Sequence, residues 1–389
     1  MTVESTARFR TPEGVNALAL AGAATGDDPL AAASALRAAG VPPDLAAAAL
    51  TQVDLRRRAA AKFGPDAASM FFTRAGLEQA TRAVVADRRA ARLAAAGVRT
   101  LADLGCGLGS DALAAARAGL TVHAVDADPV TAEMAAANAR ALGLADRITV
   151  ECADATTVPV EDYDAVFADP ARRRAGRGRV FDPRSYSPPW DFIAGLAERV
   201  PRTVLKLAPG IDHVLLPPGA EGEWVSVGGD LVEAAFWCGP LASAPRRATL
   251  LPGGAELTGS GMRAAPVGGV GAYVYDPDPA VVRSHLVAEF AETVNGRLAD
   301  PSIAYVHTDE PAETPFARRL EVTDVLPFSL KRLRTLLRER GVGRLEIRKR
   351  GSALEPEQLR RDLRLSGPTA ASLVLTRVAG APTVILCKP

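Results

Sequence analysis

Residues 103–109, Asp-Leu-Gly-Cys-Gly-Leu-Gly, constrain this chain more than any other stretch. They follow an apolar run containing Val98 and Leu101 and lead into an alanine-rich run from Ser110 to Ala118. A strand, a glycine turn and a helix start, in that order, form a loop whose backbone can approach a nucleotide cofactor closely. The alternation continues over residues 97–208. Strands are predicted at 98–104, 122–126, 148–152, 163–168 and 203–207, with helices at 110–118, 129–142 and 190–199. That order requires a parallel sheet covered by helices.

The glycine spacing narrows the cofactor. A dinucleotide loop reads Gly-x-Gly-x-x-Gly, whereas here the third glycine is Gly109 and Ser110 stands where the dinucleotide pattern has glycine. Asp103, two residues before Gly105, suits a ligand that carries an ammonium. This spacing resembles motif I of class I methyltransferases and favours S-adenosylmethionine (SAM) over a nicotinamide cofactor. The strand ending in Asp126, 21 residues after Gly105, places a carboxylate where ribose hydroxyls are accepted. The next strand leads to Asp154, positioned for an adenine amino group. Each acid alone reads better as a helix N-cap or a turn; three in succession, each just past a strand, favour the cofactor. The cofactor-contacting set on this reading is Thr73, Asp103, Gly105, Cys106, Gly107, Gly109, Asp126, Ala127, Asp154, Ala155 and Asp169.

At 389 residues the chain is long enough for two or three domains. Hydrophobic residues are 48%, charged residues 23% and the net charge is +1, so any nucleic-acid affinity must come from local patches. Cys106, Cys152, Cys238 and Cys387 have neither metal-ligand nor disulfide spacing, which points to a reducing compartment and no metal. Residues 1–30 carry no basic segment followed by an apolar run, and apolar stretches elsewhere are interrupted by charges. The expectation is a cytoplasmic protein without a membrane span.

Residues 1–95 read as helical, with helices at 29–39, 43–63 and 77–96. Between the last two, Met70 to Gln79 is either a helix start capped by Thr73, with Leu77 under Phe71 or Phe72, or a lid over the methionine end of the cofactor. Strands at 223–227 and 231–237 flank Gly228-Gly229-Asp230 as a hairpin, and 246–251 is an added edge strand. Residues 253–271 read as a linker. Beyond them the pattern is α+β: strands at 272–275, 303–307, 320–325, 344–349, 372–377 and 383–387, and helices at 280–295, 329–340 and 355–365.

The fourth parallel strand ends in Asp169-Pro170-Ala171-Arg172. Ligands bind beyond the carboxyl ends of such strands, so Asp169 should face the reacting methyl. The segment resembles the Asp/Asn-Pro-Pro-aromatic motif of amino-methyltransferases acting on nucleobases, with Ala171 and Arg172 replacing the second proline and the aromatic. Arg172 can stack on a base or grip a phosphate, and Tyr186 or Trp190 can supply the missing ring. The alternative for Asp169-Pro170 is a tight turn. Residues 172–179 hold five arginines in eight positions; with Arg173, Arg174 and Arg177 they form either a solvated surface or a polyanion groove. Lys206 interrupts a buried strand and needs a partner, either Asp169 or a substrate phosphate. Asp169, Pro170, Arg172 and Lys206 are therefore the catalytic candidates, and Arg173, Arg174, Arg177, Tyr186 and Trp190 the substrate-binding ones. Cys106 and Cys238 read as packing residues rather than nucleophiles.

Taken together, Lys62-Phe63-Gly64, Phe72-Thr73 with Glu78-Gln79, Asp103 to Gly109, Asp169 to Arg173, Leu205 to Gly210 and Pro327 to Gly351 resemble the bacterial class I methyltransferases that carry a C-terminal THUMP-like domain. The catalytic part is similar in plan to trimethylguanosine synthase. The resemblance implies an α/β fold: a Rossmann-like methyltransferase sheet (96–252), an N-terminal helical region (1–95) and a THUMP-like α+β domain (270–389). It also implies SAM as cofactor and RNA as partner, with methylation of a base nitrogen of structured RNA. Arg332, Arg334, Arg338, Arg344, Arg348, Lys349 and Arg350 add a local basic face. A small-molecule or protein methyltransferase and a non-catalytic RNA-binding factor remain the alternatives. The sequence leaves the oligomeric state open.

Overall fold

A computed structural model describes residues 3–23, 29–172 and 186–389. They form two compact units, Met1–Ala220 with Ala235–Ser243, and Glu221–Ala234 with Ala244–Pro389.

The first unit opens with helices α1 (Val3–Arg8), α2 (Pro12–Ala23), α3 (Pro29–Ala38), α4 (Pro43–Phe63), α5 (Arg74–Gln79) and α6 (Ala83–Ala95). Pro43 starts α4 in the first turn, where a missing N–H costs nothing, and Gly64 ends it at positive φ. The helix expected over 77–96 is two helices. Lys62 Nζ donates to the carbonyls of Leu77, Glu78 and Ala80 at 2.7, 2.9 and 3.1 Å, which ends α5 before α6 begins. Helices α1 and α2 lie in the region read as helical but were not delimited there, because Pro-Glu-Gly-Val-Asn-Ala-Leu-Ala-Leu shows little contrast between faces.

The strands and helices β1 (Thr100–Leu104), α7 (Ser110–Arg117), β2 (Thr121–Asp126), α8 (Pro129–Ala141), β3 (Ile148–Cys152) and β4 (Ala165–Ala168) then alternate as the sequence predicts. A two-strand ribbon, β5 (Ala171–Arg172) with β6 (Tyr186–Ser187), precedes α9 (Trp190–Arg199) and β7 (Thr203–Leu207). The strand order is β3-β2-β1-β4-β7, with every pair parallel. The order reverses between β1 and β4, so the crevice above Leu104 and Ala168 is where an open α/β sheet binds ligands. Alanines at 112, 115, 135 and 139 are buried and let α7 and α8 lie close to the sheet. Strand β8 (Glu221–Val227) turns through Gly228-Gly229, at φ of 60° and 87°, into β9 (Asp230–Trp237). The last three residues of β9, 235–237, belong to the first unit, where the strand neighbours β7 and Cys238 N–H donates to Thr203 O at 2.9 Å.

In the second unit, β10 (Arg246–Leu251) runs parallel to β8 and antiparallel to β11 (Ala255–Gly259). Residues 246–251 are therefore an interior strand and not an edge. The stretch read as a linker contains β11, whose one buried residue, Leu257, gave too little alternation to see among glycines. The remaining elements are β12 (Tyr273–Pro277), α10 (Pro279–Arg283), α11 (Val287–Thr293), β13 (Arg297–Leu298), β14 (Val306–Thr308), β15 (Ala317–Pro327), α12 (Leu330–Glu339), β16 (Val342–Lys349), α13 (Pro356–Leu363), β17 (Thr369–Val378) and β18 (Ala381–Cys387). The helix expected at 280–295 breaks where His285 adopts φ 64°. The sheet order is β13-β14-β12-β15-β18-β17-β16. Leu333, Leu337, Leu359 and Leu363 of α12 and α13 share a core cluster with Leu373 and Leu375 of β17. The expected basic face is partly neutralised. Asp276 pairs with Arg348 and Arg350, Glu355 with Lys349, and Arg334 donates to the Asp362 carbonyl. Arg332, Arg338 and Arg344 stay exposed.

Candidate active site

The glycine turn hangs from β2: Gly105 and Cys106 N–H both donate to Val125 O, at 2.8 and 3.0 Å. Gly105, Gly107 and Gly109 have φ of 85°, 57° and 86°, a region that side chains disfavour. At Gly105 the requirement is also steric, since a Cβ would lie 2.6 Å from the Asp169 carbonyl oxygen. The backbone that follows β4 thus presses directly on the cofactor-type turn. Gly109 caps α7.

Asp103 ends beneath that turn. It is fully buried, and neither carboxylate oxygen has a hydrogen-bond partner among the described residues. Burial, reinforced by the charges of Asp111 and Asp169, holds its pKa well above the ordinary aspartate range against the pull of Arg89 and Lys206. The neutral folded form is favoured, so stability conferred by the held proton is present below about pH 4 and falls as pH rises through the folded pKa. Asp103→Asn should lack this fall. Urea denaturation at about pH 5 and pH 8 should show wild type losing more stability across the interval than the variant; parallel losses would contradict the assignment.

Asp126 Oδ2 accepts from Gly107 N–H at 3.0 Å and Oδ1 from Asp128 N–H at 2.9 Å, so two amides fix the carboxylate. Burial raises its pKa, and those two bonds oppose the shift. Ala127 beside it is exposed. Asp154 is exposed and caps a short turn: Oδ1 accepts from Thr156 N–H at 2.9 Å and from its hydroxyl at 2.8 Å, which lowers the pKa. Ala155 is buried at the start of that turn. Thr73 caps α5, its Oγ1 accepting from Gly76 N–H at 2.9 Å.

The crossing segment before α5 is bolted to the turn. Asn138 Oδ1 accepts from Phe71 N–H at 2.7 Å, and its Nδ2 donates to Phe71 O at 3.2 Å and to Leu108 O at 3.0 Å. Gln52 brackets Phe72 in the same way, at 2.7 and 3.0 Å. The sequence reading missed both residues. Their signal is a lone amide on the buried face of an alanine-rich helix, where only a satisfied polar group is tolerated.

At the tip of β4, Asp169 N–H donates to Leu104 O at 3.0 Å, and Lys206 Nζ from β7 lies 2.5 Å from Asp169 Oδ2. Lys206 therefore pairs with the carboxylate. Pro170 is buried. Arg172 lies in β5, in register with Tyr186. Tyr186 is buried, and its ring lies 6.2 Å from that of Trp190. Arg173, Arg174 and Arg177 lie outside the described residues. Cys106 and Cys238 are buried, which pushes the first thiol well up and the second to about 11. Neither is a thiolate at neutral pH.

These residues fit a cationic nucleoside: a partnerless buried acid beneath a turn that excludes side chains, and an amide-fixed carboxylate at the next strand end. Similar proteins agree. The chain is 37% identical over 356 residues to S-adenosylmethionine-dependent methyltransferases, themselves uncharacterised, from two Mycobacterium tuberculosis strains, covering 86% of this chain and 95% of each relative. The chain belongs to the SAM-dependent methyltransferases. A methyltransferase-domain family model matches residues 101–172 of the enzyme, a THUMP-domain-like model residues 317–389, and a domain of unknown function residues 2–59. The crystal structure of a candidate methyltransferase from Porphyromonas gingivalis W83 shares the enzyme's fold at TM-score 0.72 and 20% identity, covering 99% of this chain and 97% of that one. The cofactor of the methyltransferase is SAM. Among the described residues, no helix is long and apolar enough to cross a membrane and no three metal-ligating side chains converge.

Proposed function

We propose that this methyltransferase modifies a base nitrogen of structured RNA in the cytoplasm. The observation that carries the reading is Asp169, whose carbonyl abuts Gly105 and whose carboxylate is steadied by Lys206 at the sheet's switch point. SAM supplies a methyl group on a sulfonium that already has its leaving group. What remains for the protein is to hold a nitrogen lone pair in line and to accept that nitrogen's hydrogens, which is a positioning task. Asp169 Oδ1 and the carbonyl beside Pro170 suit those hydrogens. Asp103 faces the methionine end of the cofactor, Gly105 to Gly109 its backbone-contacting turn with Cys106 packed beneath, Asp126 and Ala127 the ribose, and Asp154 and Ala155 the adenine; Thr73 shapes the crossing segment above. Tyr186, Trp190 and Arg172 suit a stacked base, and Arg173, Arg174 and Arg177 its phosphates.

We assign residues 1–95 to a supporting helical region, 96–252 to catalysis and 270–389 to RNA presentation. The THUMP-like match and exposed Arg332, Arg338 and Arg344 support the last assignment. Nucleoside mass spectrometry of RNA from a deletion strain should lack one methylated base that the complemented strain restores. Labelled methyl groups from SAM appearing only in protein or low-molecular-weight fractions would refute the RNA substrate.

Asp126→Ala removes the charged acceptor assigned to the ribose. Charge-assisted hydrogen bonds contribute about 1.5–3 kcal/mol, so calorimetry should show SAM affinity falling roughly 10- to 100-fold. Unchanged affinity would contradict the role.

A further inference from the structure

Residues 69–81 lie against the glycine turn: a Cβ on Gly76 would stand 2.9 Å from the Leu108 side chain. Side chains from outside the segment hold its backbone along its length. Arg56 Nε donates to Met70 O at 2.8 Å, and Nη2 to Ser69 O at 3.3 Å. Gln52 and Asn138 bracket Phe72 and Phe71, and Asn138 also takes the Leu108 carbonyl of the turn. Lys62 takes the carbonyls of Leu77, Glu78 and Ala80. The Thr81 hydroxyl donates to Asp111, in the first turn of the helix that leaves the glycine turn.

Lys62 is the most costly of these holds. It is half-buried, and burial with the nearby charges of Arg82 and Lys206 keeps its pKa below the usual lysine value, against the pull of Glu78. An ammonium so opposed needs compensation, which three carbonyl oxygens at the C-terminal end of α5 supply. Lys206 is the partner of Asp169, so α5 reaches from Leu108 of the cofactor turn toward the acceptor acid.

We propose that Lys62 is a positioning residue that fixes α5 before SAM arrives, making residues 69–81 a standing wall of the cofactor site and not a lid that closes on it. The inference rests on the placement of the methionine end of SAM at the glycine turn. A wall already ordered costs the ligand no conformational entropy, whereas a segment ordered on binding does. Without the ammonium, the last carbonyls of α5 lose their shared donor, and a helix of six residues is too short to hold itself. SAM binding must then supply the order.

Hydrogen exchange and calorimetry on wild type, Lys62→Met and Lys62→Arg test this with SAM as the probe. In ligand-free wild type, amides 76–80 should already exchange slowly; SAM should slow residues 103–109 and change 76–80 little. Lys62→Met should exchange faster at 76–80, regain slow exchange once SAM is bound, and bind SAM about tenfold or more weakly. Lys62→Arg, which keeps the charge and the donors, should recover most of that affinity. Fast exchange at 76–80 in wild type until SAM is added would show a lid and overturn the proposal. Unchanged affinity in Lys62→Met would overturn it too. So would an affinity loss with no SAM-dependent recovery of slow exchange at 76–80, the mark of a merely structural lysine. If Lys62→Met does not fold, wild-type exchange at 76–80 decides alone. If SAM alters no exchange at 103–109 in wild type, the placement of the cofactor fails first and takes the proposal with it.

Discussion

Asp169→Ala should lower methyl transfer to RNA by about 10²- to 10⁴-fold while SAM affinity stays within about twofold. The separation follows from where the residue sits. Its backbone is held independently of its side chain, by the N–H bond to Leu104 O and by the contact of its carbonyl with Gly105. Alanine therefore keeps the floor of the cofactor turn and removes only the carboxylate assigned to the acceptor. The variant also leaves Lys206 without its 2.5 Å partner, so some loss of stability is expected in thermal denaturation. Single-turnover rates and calorimetry on the same preparation keep the two effects apart. Retained turnover in a folded, SAM-binding variant would sink the assignment.

Arg89→Met should destabilise the protein by about 3–5 kcal/mol, read as a shift of the urea midpoint. Arg89 and Asp111 are both buried in a salt bridge between α6 and α7, and the Thr81 hydroxyl donates to the other Asp111 oxygen at 2.6 Å. The guanidinium also lies 4.5 Å above the Phe167 ring of β4. Methionine fills much of the volume but leaves the Asp111 carboxylate dry and without its cation. That uncompensated charge, rather than lost packing, makes the cost large. Arg89→Met combined with Asp111→Leu should recover a substantial part of it; a double variant as unstable as the single would show that packing dominates.

Much of the fold and part of the candidate site's geometry could be read from residue order. The three glycines and the acids at 103, 126 and 154 each sit where strand, turn and helix alternation put them, because that alternation is a local pattern. Lys206 with Asp169 was also legible, since a lysine within an apolar strand needs a nearby anion. What escaped depends on contacts remote in sequence. Lys62 ends α5 by reaching carbonyls some fifteen residues on, so the apparent helix 77–96 breaks with no proline or glycine to announce it. Asp154 is engaged as a cap through Thr156, a role its sequence position shares equally with ligand binding. Residues 246–251 carry no mark of being interior, because the strand that covers them lies in a glycine-rich stretch.

One amide, that of Asn138, holds the Phe71 backbone through both its oxygen and its nitrogen, and the same nitrogen reaches the Leu108 carbonyl. The helices ahead of the sheet are therefore not a detachable preface. A shortened protein beginning at β1 would strand that amide in a dry interior with two of its three hydrogen bonds gone and strip a wall from the glycine bend. Minimal catalytic fragments should accordingly be cut ahead of the Gln52 bracket rather than at the first strand.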